Sequence, residues 1–121
     1  MILVDTSVWV DHLRAGDAAL AELLRDGQIL THPFVIGEIA LGMLGQREIV
    51  LGSLRVLPRA AVASDAEVLG FIGRRNLHGR GIGYIDAHLL ASVLLTGGAV
   101  LWTRDKRLAA IAAELSLAAD G

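Results

Sequence analysis

Along the chain, short runs of apolar residues alternate with longer stretches whose apolar positions recur at helical spacing. Ile2-Leu3-Val4 is too brief and too uniformly apolar to alternate faces, which predicts a buried strand. A helix follows through Val8-Trp9-Val10. Gly16-Asp17 restarts one to about Arg25, with Leu20, Leu23 and Leu24 as its apolar stripe and Gly27 as its stop. Residues 28–31 predict a second short strand. His32-Pro33 opens a helix whose run 34–44 is apolar nearly all round, the mark of a buried helix, with Glu38 its single charge.

Residues 46–54 predict another helix, and 55–57, just before Pro58, a short strand or extended segment. Ser64-Asp65-Ala66-Glu67 is a capping-box signature. It opens a helix carrying Val68, Leu69, Phe71 and Ile72 and ending in Arg74-Arg75-Asn76. The glycine-rich stretch 79–83 reads as a flexible loop. Residues 84–95 form a second nearly all-apolar helix, stopped by Gly97-Gly98. Ala99-Val100-Leu101-Trp102-Thr103 is the last clear strand, residues 108–114 are helical, and 115–117 add a small edge strand. Short apolar strands alternating with helices, each link long enough for a crossover, predict an α/β fold. Its short, mainly parallel sheet should be covered on both faces.

Composition narrows the picture. A chain of 121 residues with 54% hydrophobic content fits one domain, 1–121, with an ample core. There is no cysteine, hence no disulfide framework and no thiolate metal site. An acid at position 5 and the lack of a basic leading segment argue against a secretory signal. No apolar run approaches the ~18 residues of a membrane span. A soluble, cytoplasmic protein is expected. The net charge of −2 gives no global attraction for nucleic acid, so such contacts need a local basic patch or metal ions at an acidic site. A mean hydropathy of +0.56 is high for a small monomer and predicts a partner over some apolar surface.

The chemistry lies in four acids, Asp5, Glu38, Asp86 and Asp105. Asp5 and Asp105 follow aliphatic strands, so a parallel sheet delivers both to the rim at the strands' carboxyl ends, where α/β proteins bind ligands. Glu38 and Asp86 sit alone in the two most apolar helices, with no lysine or arginine one turn away, although charges are almost never buried unpaired. The plain alternatives are helix caps for Asp5 and Asp105 and a dipole partner for Asp86; Glu38 has no such excuse. Two carboxylates ~4 Å apart repel by roughly 4 kcal/mol at an effective dielectric near 20. A converging set therefore shares protons or takes cations. An all-oxygen set suits Mg²⁺ or Mn²⁺, which support metal-assisted phosphoryl chemistry.

Other candidates are plainer. His12, His32 and His78 form no zinc spacing, and His88 reads as a core or partner-facing residue. Trp9 and Trp102 read as packing residues, and Asp11, Asp17, Asp65 and Glu67 as surface or capping charges. Arg74, Arg75, Arg80, Arg104, Lys106 and Arg107 flank the Asp86 and Asp105 segments. Arg80, Arg104 and Lys106 are candidates for holding a phosphate backbone, a solvated basic face being the alternative. The 79–83 loop lacks the Gly-Lys-Ser/Thr ending of a nucleotide-binding loop.

Taken end to end, the chain resembles the PIN-domain family, in particular VapC-type toxins of prokaryotic toxin–antitoxin pairs. The likeness is carried by Ile2-Leu3-Val4-Asp5-Thr6-Ser7-Val8-Trp9, the Glu38 helix, Tyr84-Ile85-Asp86-Ala87-His88-Leu89-Leu90-Ala91 and Leu101-Trp102-Thr103-Arg104-Asp105. It implies a three-layer α/β/α sandwich and a Mg²⁺- or Mn²⁺-dependent endoribonuclease. Asp5 and Asp86 would be the principal metal ligands, completed by Glu38 and Asp105. Thr6, Ser7 and Thr103 would be hydroxyls supporting them. The resemblance also implies a VapB-like antitoxin that wraps the toxin and blocks the site, and a homodimer within a larger assembly. Two other readings use the same residues: a non-catalytic module within a DNA-bound toxin–antitoxin repressor complex, and a metal-dependent DNA nuclease or phosphatase.

Overall fold

A computed structural model describes residues 1–119. Its elements run β1 (Ile2–Val4), α1 (Thr6–Ala15), α2 (Ala18–Arg25), β2 (Ile29–Leu30), α3 (Pro33–Ala40), α4 (Arg47–Arg55), α5 (Asp65–Arg74), α6 (Tyr84–Leu95), β3 (Val100–Trp102) and α7 (Lys106–Glu114). The three strands lie in the order β2-β1-β3 and pair in parallel, Leu3 opposite Leu30 on one side and Leu101 on the other. Successive strand residues face opposite sides of a sheet. Leu3 and Val4 are both fully buried, so helices cover both faces, and the α/β/α sandwich is the fold.

Single bridges extend both edges of the sheet, again in parallel, Thr31 with Arg59 and Leu101 with Ala118. Thr31 and Leu101 belong to predicted strands, while their partners Arg59 and Ala118 lie just past the stretches 55–57 and 115–117 that the sequence pattern marks as extended. α4 continues through Arg55, and the pairing segment starts at Pro58, whose carbonyl accepts from Thr31 N (2.8 Å). A proline with no N–H is tolerated at that edge. At the other edge Leu115 caps α7 and Ser116 takes φ +59°, so pairing begins only when Leu101 N donates to Leu117 O (2.7 Å).

The two apolar helices differ. α6 is buried continuously from Ala87 to Val93, as its composition predicts. The run 34–44 is not one buried helix. α3 ends at Ala40 and buries only Val35 and Ile39, while Leu41 is 89% exposed and Met43 fully so. Gly42 and Gly45 break the run, and the Arg47 guanidinium donates to the Ala40 carbonyl (2.6 Å), closing the helix end. His32 starts α3 by an unexpected means: its Nδ1 accepts from Phe34 N (3.0 Å), and its Nε2 lies 3.0 Å from Ser92 Oγ on α6. An imidazole thus does the N-cap work usual for serine or aspartate, and it ties the helix of Glu38 to that of Asp86.

β1 is central, and the chain leaves it toward β2 but returns to β3 on the opposite side. The carboxyl ends of β1 and β3 therefore form the point where crossovers diverge, the usual crevice of such sheets. Asp5 and Thr103 directly follow those ends, and Asp5 N donates to Trp102 O (2.9 Å).

Candidate active site

At this crevice Asp5 is buried and stands at the N-cap of α1 without capping through its side chain. Its Oδ2 instead accepts from Ser7 Oγ (2.8 Å) and Thr103 Oγ1 (2.7 Å). Each hydroxyl has one proton, so both are committed to that oxygen. Their lone pairs are used as well: Ser7 Oγ accepts from Arg104 N (3.0 Å) and Thr103 Oγ1 from Asp105 N (3.1 Å). The turn after β3 is stitched to the start of α1 through a single carboxylate oxygen.

The other acids follow the same rule. Glu38 Oε1 accepts from Thr6 Oγ1 (2.7 Å), Asp86 Oδ2 from Gly83 N (3.1 Å), and Asp105 Oδ1 from Leu108 N (2.9 Å). Asp105 is a helix cap, as its plain alternative had it, and Asp86, whose plain alternative was a dipole partner, closes a capping box onto Gly83 N; yet each uses only one oxygen. The second oxygen of all four acids accepts no hydrogen bond from the described residues, and none of the four forms an ion pair there. Asp5 Oδ1, Glu38 Oε2, Asp86 Oδ1 and Asp105 Oδ2 are left over.

The acids feel one another. Burial pushes the Asp86 carboxyl above the usual aspartate range; the Gly83 N–H opposes this, and the charges of Asp5, Asp105 and Glu38 add to it. Four carboxylates with a free oxygen each, and no imidazole or thiolate among them, match the hard-oxygen preference of Mg²⁺ and Mn²⁺. Among the described residues, no three acids or histidines are gathered into a finished metal cage. Mg²⁺ keeps several of its waters, so a divalent ion does not require all four to touch it.

The basic candidates are mostly engaged. Arg104 donates to Asp11 of α1 and to Asp17, the N-cap of α2, which fastens the β3–α7 turn to two helices. Arg80 holds Glu114 through both carboxylate oxygens (2.8 and 2.7 Å). Lys106 is exposed and makes no ion pair among the described residues. The Arg104 clamp carries no sequence signal, since Asp11 and Asp17 stand 93 and 87 positions from it. His88 is buried between the edge-on rings of Phe34 and Tyr84, 4.7 Å from each. Trp9 is buried and Trp102 half-buried. Val10, Leu13, Ile39, Met43 and Leu44 line an apolar groove with Glu38 at its edge.

A family model described as PIN domain matches residues 2–114. Two relatives, both named Ribonuclease VapC32, come from Mycobacterium tuberculosis strains CDC 1551 / Oshkosh and ATCC 25618 / H37Rv. Each is 58% identical over 118 residues, spanning 98% of this chain and 95% of its own.

Proposed function

The chain belongs to the PIN-domain family, and from that membership we propose that it is a VapC-type endoribonuclease toxin, one PIN domain over 1–121, that hydrolyses RNA phosphodiester bonds with a divalent metal. The observation that carries the reading is the pattern of half-used carboxylates: each of the four acids is held in place through one oxygen and presents the other. The relatives' name as ribonucleases and their near-complete overlap support the choice of substrate.

In this reading Asp5 and Asp86 hold Mg²⁺ or Mn²⁺, and Glu38 and Asp105 complete the site. When bound, the ion supplies Lewis-acid polarisation of the phosphate and a more acidic water. The protein's own share is positional. Ser7 and Thr103 fix Asp5 through Oδ2 and leave Oδ1 without a hydrogen bond from the described residues. Thr6 does the same for Glu38, and the helix caps do it for Asp86 and Asp105. Burial and the neighbouring acids make the free Asp86 carboxylate costly, and a cation held there would relieve that cost by stabilising its ionised form. Lys106 faces solvent beside Asp105 and serves the phosphate backbone better than the clamped Arg80 and Arg104.

The partner is a VapB-like antitoxin. The exposed Leu41 and Met43 and the apolar groove at Glu38 give it a surface that ends at a candidate ligand, so covering the one blocks the other. A toxin homodimer and a cytoplasmic setting belong to the same proposal; no described helix is long and apolar enough to cross a membrane.

The test is cleavage of total prokaryotic RNA by purified protein freed of its partner, with Mg²⁺ or Mn²⁺ against EDTA and matched single-stranded DNA as control. Discrete RNA cuts that vanish with EDTA are expected. Loss of DNA alone would make this a DNA nuclease. No cleavage by folded protein would leave only a binding module within a repressor complex.

A further inference from the structure

We propose that the hollow beside the Gly83 cap is a nucleobase subsite, which seats one unpaired base of the RNA next to Asp86. The inference rests on the ribonuclease reading above and deepens it. The hollow has about 210 Å³ of open volume and lies between the end of α5, the 77–83 segment and the start of α6. That is below the ~300–1,000 Å³ of typical small-molecule sites, a size that suits one flat ring. Its floor is apolar, from Ile72, Leu77, Ile82 and Ala87, and its rim carries the rings of His78 and Tyr84, both exposed. Single-stranded RNA is read in this way, by bases splayed out of the stack onto aromatic faces.

Three further observations point to RNA as the occupant. The peptide group of Ile82, which lines the hollow, makes no main-chain hydrogen bond with the described residues, so its N–H and C=O groups are available to a base edge. Cations border the segment. Arg74, Arg75 and Arg107 form no ion pair among the described residues. The Arg107 guanidinium lies so close over Gly81 that a Cβ there would meet it at 2.7 Å. Finally, Gly83 belongs to both places: it lines the hollow, and its N–H holds Asp86 Oδ2 at 3.1 Å. A base seated here puts its own backbone beside the acids, so the subsite sets where the cut falls.

The experiment uses the full chain and a short single-stranded RNA of randomised sequence, with cut sites read by sequencing. Crosslinks from 4-thiouridine-substituted RNA are mapped in parallel by mass spectrometry. Wild type is compared with His78→Ala and Ile82→Asn, folding being checked by thermal melts. Wild type is expected to prefer one base at one fixed position near the cut. That preference should fall about tenfold in His78→Ala, in line with the loss of one stacking face, and preferences elsewhere should persist. Crosslinks should fall on residues 77–84. Metal-dependent cutting with unchanged preference in both variants and crosslinks elsewhere would overturn the subsite while sparing the ribonuclease. Protection of His78 and Ile82 by a co-purified antitoxin, again with unchanged preference, would assign the hollow to that protein instead. No cutting by wild type overturns both readings.

Discussion

Ser7 and Thr103 each give their only hydroxyl proton to Asp5 Oδ2, so removing either frees that carboxylate to turn. Ser7→Ala or Thr103→Ala is expected to weaken Mn²⁺ binding and RNA cleavage by roughly 10–100-fold, with the fold retained. A metal titration and a cleavage rate for each variant check it. Asp86 makes a prediction about stability. Its carboxyl is raised in the folded chain, by burial first and by the neighbouring acids after it. As pH climbs through the ordinary aspartate value, the unfolded chain releases this proton first. Stability therefore declines until the folded-state value is passed, and it stays lower above that. Asp86→Asn should remove this decline, raising the melting temperature at neutral pH by a few degrees while abolishing cleavage. Melts of both proteins from about pH 4 to 7 decide it. Isolated acids in apolar helices are legible in a sequence because they violate burial preference. Which oxygen is used and which is left over depends on donors such as Gly83 N and Thr6 Oγ1, and no spacing reveals those.

Among the elements, α3 and the β3–α7 turn depend on devices that sequence patterns conceal. The His32 imidazole is held down to a pKa of about 4 by burial, with the charges of His88 and Arg59 adding to it, so it caps α3 as a neutral ring. Here the sign reverses. The unfolded histidine takes its proton at about 6.5, and stability is lost as pH falls from there toward the folded value of about 4. His32→Ala would remove that acid sensitivity and cost about 2 kcal/mol through the lost cap, which denaturant melts at neutral and mildly acidic pH would reveal. The Arg104 clamp on Asp11 and Asp17 gives a prediction of position. Arg104→Met should leave helix content intact yet weaken Mn²⁺ binding roughly tenfold, because Thr103 and Asp105 lose their anchor. An unchanged Mn²⁺ titration would mean that the turn holds itself. Helix and strand order was readable because apolar period and capping signals agree at Ile2-Leu3-Val4, at Ser64-Asp65-Ala66-Glu67 and along α6. It failed at 41–45, where local apolarity resembles burial but Gly42 and Gly45 end the helix. Apolar content alone does not distinguish a core face from a face kept for a partner.

At the scale of the whole molecule, the strand order β2-β1-β3 brings Asp5 and the Thr103–Asp105 turn, at opposite ends of the chain, to one crevice. That convergence was legible as a rule about strand ends, because both strands run into an acid within three residues. The same crevice borders an apolar groove and an exposed Leu41–Met43 corner, which answers the high mean hydropathy noted from the sequence. The central claim is that the four left-over oxygens form one divalent-cation site, and calorimetric titration of Mn²⁺ into the purified, partner-free protein tests it most directly. The account predicts saturable binding that is lost in both Asp5→Asn and Asp86→Asn, with Mn²⁺ raising the melting temperature of wild type alone. Equal binding by wild type and a variant lacking both acids would contradict it.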